Sequence, residues 1–152
     1  VDDQEKKRGI ADLYRANFFP YVEAGRGDSP AGERILDSAT YLAENFERAP
    51  VLAIPCHAGR LGEGTSTFEQ ASAWGSIIPA IWSFMLALRE RGLGSAWTTL
   101  TLPNEREVAE IVGIPFDRYT QAGLFPVAYT IGTDVKVASR VPAAKFIRWN
   151  DW

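Results

Sequence analysis

Apolar residues return every three or four positions along the first third of the chain, then gather into short runs separated by glycine, proline and hydroxyl-rich stretches. From Asp2 to Glu23 that period picks out Ile10, Leu13, Tyr14 and Phe18 behind a charged DDQEKKR start. It predicts an amphipathic helix with its acidic pair where the N-terminal end of the helix dipole favours it. Gly25 to Pro30 reads as a loop from its Gly, Asp, Ser and Pro content. Ala31 to Arg48 reads as a second amphipathic helix carrying Ile35, Leu36, Ala39, Leu42, Ala43 and Phe46. The run from Ala49 to Cys56, APVLAIPC, is short, apolar and flanked by prolines, the pattern of a buried strand.

After a glycine-rich loop from Ala58 to Thr67, no charged residue occurs between Ala71 and Leu88. A helix is predicted from Ser76 to Arg91. The uncharged run from Ala71 to Leu88 reaches in length the lower edge of a membrane span, but serines, Gly75 and Pro79 dilute it and Arg89, Glu90 and Arg91 close it. A helix apolar on nearly every side must be covered on nearly every side, and a subunit interface is the natural cover. A strand is then predicted from about Ser95 to Thr101. Asn104 is placed to cap a helix through Val112, with Glu107 three residues on in the capping-box position. Leu124 to Ile131 and Lys145 to Trp149 read as two further strands. Helices alternate with few, short strands, so the class is α/β or α+β.

Composition narrows the functional classes. The 152 residues are 46% hydrophobic and 23% charged with a net charge of −3, which fits one soluble globular domain in a cytoplasmic setting. Basic residues are scattered, which argues against nucleic acid as the main ligand. Cys56 and His57 are the only residues of their kinds, too few for an internal disulfide or a soft-ligand metal site. Neighbours on a strand point to opposite faces, so the two do not form a nucleophile and base, and Cys56 is expected to be a structural thiol. No hydrolase or Walker signature is present. Gly59 to Gly64 has phosphate-loop spacing, but Glu63 sits inside it and no Lys-Ser/Thr follows, so it reads as a mobile loop.

The segment Gly92 to Thr101, GLGSAWTTLT, leaves two readings open. Gly92 and Gly94 permit a tight helix exit with positive φ. The residues after them form either a core strand or a strand edge lying along a flat heteroaromatic ligand, to which the threonines and Trp97 are consistent contacts.

Three segments, PAIWSFMLALRERGLGSAWTT, FPVAYTIGTD and SRVPAAKFIRWNDW, resemble in order and spacing the C-terminal two thirds of the FMN-dependent nitroreductase family, which includes iodotyrosine deiodinase and a flavin-cleaving benzimidazole synthase. The resemblance implies an α+β fold over residues 1–152, an α/β/α sandwich with a mainly antiparallel central sheet built as an intertwined homodimer. The apolar helix would lie in the subunit interface, and the Lys145 to Trp149 strand would enter the partner's sheet. It places Trp97, Thr98, Thr99 and Leu100 beside FMN, with a Thr99 N–H or hydroxyl at the flavin N5, and matches Arg140 to the arginine that pairs with the FMN phosphate.

The implied function is an oxidoreductase that moves a hydride from NADH or NADPH to FMN and electrons on to a nitroaromatic, quinone or related small acceptor in ping-pong order. A flavin-binding or storage protein without turnover, or a deiodinase-like or flavin-modifying member, are the alternatives. Neither the family's R-R-S-x-R opening nor its P-S-x-x-N-x-Q-P-W segment occurs, so an N-terminal segment carrying half the flavin site is expected to precede Val1, the alternative being a natural short form with a weaker cofactor site. Ala138 stands where some members carry a phosphate-binding lysine.

Overall fold

In a computed structural model, residues 1–24, 30–132, 137 and 139–150 are described. Helix α1 spans Gln4–Glu23, and the Asp3 side chain accepts from the Lys6 N–H at its start. Helix α2 spans Pro30–Asn45 and passes into a 3-10 turn, Phe46–Arg48. The loop predicted between the two helices lies outside the described residues apart from Pro30, which opens α2.

The apolar run after the second helix divides into two strands, β1 (Val51–Ala53) and β2 (Cys56–Ala58). Pro55 separates them, and they join different sheets. Helix α3 covers Thr67–Glu90, beginning nine residues before the predicted Ser76. Ser66 and Glu69 form a reciprocal capping box there, a signal that the uncharged core of the helix obscured. Strand β3 is Leu93–Ser95, helix α4 is Glu105–Val112, β4 is Tyr119–Gln121 and β5 is Phe125–Tyr129. At the α4 start, the Asn104 Nδ2 donates to the Glu107 carboxylate at 2.9 Å, but Asn104 makes no side-chain cap to the backbone, so the expected capping box does not form.

All pairing between these strands is antiparallel: β1-β5-β3 form one sheet and β2-β4 a second. The predicted Ser95 to Thr101 strand is cut short at Ser95, and Pro126 explains it. Leu124 faces β3 through reciprocal 2.9 Å bonds with Thr98, so Pro126, two residues on, faces the same side without an N–H to give Ala96. The ladder lapses for two residues and resumes in the same register at Thr98↔Leu124. The predicted terminal strand is also corrected. Ala143–Lys145 is a 3-10 turn, and no strand follows it among the described residues. Phe146, Ile147 and Trp149 are exposed there, with no strand paired to them among the described residues.

The three-stranded sheet is packed on both faces. On one side, Ile10, Tyr14 and Phe18 of α1 close on Phe46, Leu52, Val108 and Leu124. On the other, Ile81 of α3, flanked by Trp74, Ile77 and Met85, covers Phe125 and Ala122. Leu52 and Leu124 thus serve one layer, and Ala53 and Phe125 the other, as strand alternation requires. Only Ala73 and Ile81 of α3 are fully buried, although by length and composition the helix could span a bilayer.

Candidate functional site

Where the ladder lapses, the chain from Gly94 to Leu100 becomes one wall of an open cavity of about 1230 Å³. Pro126 and Ala128 of β5 continue that wall, and α2 supplies the wall opposite. Trp97, Thr98, Thr99 and Leu100 all line it, so the structure gathers four of the five residues that the sequence singled out.

The four are held by different forces. The Trp97 indole Nε1 donates to the Ala122 carbonyl at 3.0 Å, and its ring lies 5.5 Å from that of Phe125. Gly123, at φ +125°, makes room beneath it. Thr98 is buried and spends its N–H and hydroxyl on the same Leu124 carbonyl, each at 2.9 Å. Leu100 packs against the main core. Thr99 is exposed and differs from its neighbours. Its carbonyl accepts from the Leu102 N–H, while neither its hydroxyl nor its own N–H is spent on a partner among the described residues. Two unspent donors, on a segment fixed from behind and beside an indole, fit the edge of a flat heteroaromatic ring with acceptor nitrogens.

Arg140 stands apart from these four. It is exposed, donates to the neighbouring Ser139 carbonyl at 3.1 Å, and does not line the cavity. Ala138 lies outside the described residues.

The sequence pattern did not reveal the α2 wall. Arg34, Ser38, Tyr41, Asn45 and Arg48 recur at alternating spacings of four and three, one face of a helix continued into the 3-10 turn, and all five line the cavity. The helix carries this polar stripe beside its apolar one. Ile35, assigned to the apolar stripe, is 70% exposed and lines the cavity as well. Tyr14 of α1 also lines the cavity, and burial raises its phenol pKa, keeping it neutral.

The other candidates are structural. The Cys56 thiol donates to the Ile54 carbonyl at 3.4 Å, and burial, reinforced by Glu105, pushes its pKa up, away from the reactive thiolate. The glycine loop is pinned at both ends. Arg60 forms a bidentate pair with Glu105, and Thr65 closes a turn on Gly62. Arg60 and Arg106 stack on Phe116 at 3.9 and 4.0 Å.

A model of the Nitroreductase family matches residues 2–129. The chain belongs to the nitroreductase family. Solved structures of similar fold include an oxidized iodotyrosine deiodinase bound to FMN and 3-iodo-L-tyrosine, 24% identical with a TM-score of 0.71 over 100% of this chain and 74% of that one. The BluB-like flavoprotein of Clostridium difficile 630 is 17% identical, with a TM-score of 0.63 over 99% and 77%. The FMN- and NADPH-dependent nitroreductase NfnB of Sphigopyxis sp. strain HMH is 15% identical, with a TM-score of 0.56 over 100% and 78%. At such identities the likeness is one of fold, and it bears out the nitroreductase-like α+β architecture. No curated protein matches the chain.

Proposed function

We propose that this nitroreductase-family chain is an FMN-dependent oxidoreductase, with NADH or NADPH as donor and a nitroaromatic, quinone or related small molecule as acceptor. The observation that carries the reading is Thr99: two unspent hydrogen-bond donors on the cavity wall, next to a threonine whose donors are both committed. Bound flavin would supply the redox chemistry, taking a hydride from the nicotinamide and passing electrons to the acceptor in turn.

The chain's own residues position that chemistry. Thr99 offers its N–H or hydroxyl to the flavin edge, and Thr98 fixes the backbone that aims it. Trp97 and Leu100 form an apolar flank. Arg140 is the residue assigned to the phosphate, because a guanidinium can meet it with two parallel bonds. A homodimer completes the proposal. Ile78, Trp82 and Leu86, four residues apart, leave an apolar outer stripe on α3 that a second copy would cover.

Initial-rate kinetics on FMN-supplemented protein test the reading. Parallel double-reciprocal lines for NADPH against a nitroaromatic acceptor are expected, and no NADPH oxidation above that of free FMN would overturn it. A second reading, flavin binding without turnover, draws on the position of Arg140 outside the cavity lining. It requires bound flavin that stays oxidised under excess NADH or NADPH.

A further inference from the structure

The charge of the cavity runs against the charge of the chain. Acidic residues outnumber basic ones overall, yet among the described residues the formally charged side chains on the lining are Arg34 and Arg48, with no carboxylate beside them. A cleft lined by one sign of charge concentrates ligands of the other sign. The Arg34 guanidinium has no hydrogen bond or ion pair among the described residues. Arg48 gives one N–H to the Asn45 carboxamide oxygen at 2.8 Å and keeps the rest of its donors. Ser38 and Asn45 stand between the two arginines on the same helical face, and Tyr41 adds a flat ring. The opposite wall, with Trp97 and Leu100, is the one assigned above to the flavin.

We infer that the cavity selects aromatic acceptors that carry a carboxylate, with the Arg34 and Arg48 wall holding the anionic group while the ring lies between the two walls. The inference rests on the flavin reading and narrows its substrate class. Arg34 is the principal anchor, since its guanidinium is uncommitted and a carboxylate can meet it with two parallel charge-assisted bonds. Arg34 and Arg48 are both exposed, so the discrimination should be modest and sensitive to salt.

Calorimetric titration of FMN-loaded protein with 4-nitrobenzoate and with its neutral analogue 4-nitrobenzamide tests it without relying on turnover. The carboxylate should bind about tenfold more tightly at low salt, and high salt should narrow the gap. Arg34→Gln should abolish most of the preference while leaving the 4-nitrobenzamide affinity and the thermal midpoint unchanged. Equal affinities in the unaltered protein would overturn the inference, as would a preference that survives in both Arg34→Gln and Arg48→Gln. Titration with FMN and riboflavin separates the other source of an anion. If Arg34→Gln weakens FMN but not riboflavin, the wall serves the cofactor phosphate, and the acceptor assignment fails. Failure of the unaltered protein to take up FMN defeats the flavin reading itself and this inference with it, whereas FMN uptake with equal affinities defeats this inference alone.

Discussion

Trp97 and Gly123 are in direct steric dependence: a Cβ on Gly123 would come within 2.5 Å of the indole Nε1 and 2.9 Å of the Thr98 carbonyl oxygen. Gly123 also holds φ +125°, a region that side-chain-bearing residues rarely enter. Gly123→Ala should therefore cost at least about 1–3 kcal/mol from backbone strain alone. The collision falls on Trp97, so the variant should also show altered tryptophan fluorescence and weaker FMN uptake. Chemical denaturation and a fluorescence spectrum check both, and an unchanged spectrum would mean that the indole does not depend on this glycine.

Adjacent threonines should divide stability from cofactor chemistry. Thr98→Val removes the buried hydroxyl bond to Leu124 and should lower stability by about 0.5–1.5 kcal/mol, with the bound-flavin spectrum little changed. Thr99→Ala should leave stability within about 0.5 kcal/mol, because its side chain is exposed and has no partner among the described residues. It should shift the flavin absorption maximum or midpoint potential if the hydroxyl serves the ring. Denaturation midpoints and a redox titration of both variants make the comparison.

Much of this division was legible in the sequence, and its limits were physical. The GLGSAWTTLT run located the cavity wall because glycine at the helix exit and hydroxyls in series are local signals. The break after Ser95 was not legible there, since its cause, Pro126, lies in a partner strand beyond α4 and β4. The start of α3 lies outside its apolar run. The Ser66 to Glu69 capping box precedes the uncharged run from Ala71 to Leu88, and that apolar run drew the boundary toward itself. The α2 wall is the polar face of a helix whose periodic signal lies in its apolar face, and polar residues at helical spacing are the ordinary pattern of a solvated surface. The terminal Phe146, Ile147 and Trp149 have the side chains of a strand, but the edge that the resemblance assigns them belongs to a second copy, and in the single chain they are exposed after the Ala143–Lys145 turn.

The outer face of α3 should determine assembly. Trp82 is 58% exposed on a helix with two fully buried residues, so Trp82→Glu should leave the fold intact and set a like charge against its copy across the proposed interface. Sedimentation velocity should give a dimer for the unaltered protein and a monomer for the variant. A well-folded monomer in the unaltered protein would remove the interface.

Arg15 joins Asp12 of its own helix to Glu47 of the 3-10 turn, at 2.7 and 2.9 Å. The hydrogen bond from Arg15, aided by a backbone bond, holds the Glu47 pKa below its ordinary value. A carboxylate depressed in the folded state contributes stability that is complete above its unfolded pKa of about 4.3 and is lost as pH falls through the folded value. Glu47→Gln should thus cost up to about 1 kcal/mol at pH 7, with the difference shrinking as the solution is acidified below about pH 4. Thermal melts of both proteins across that range supply the measurement.

Flavin binding and its reduction by a nicotinamide are the centre of the proposed function. An anaerobic visible spectrum of the protein with added FMN, recorded before and after NADPH, tests them most directly. Flavin retained through gel filtration and bleached by NADPH is the predicted result; protein that stays colourless after incubation with FMN would contradict it.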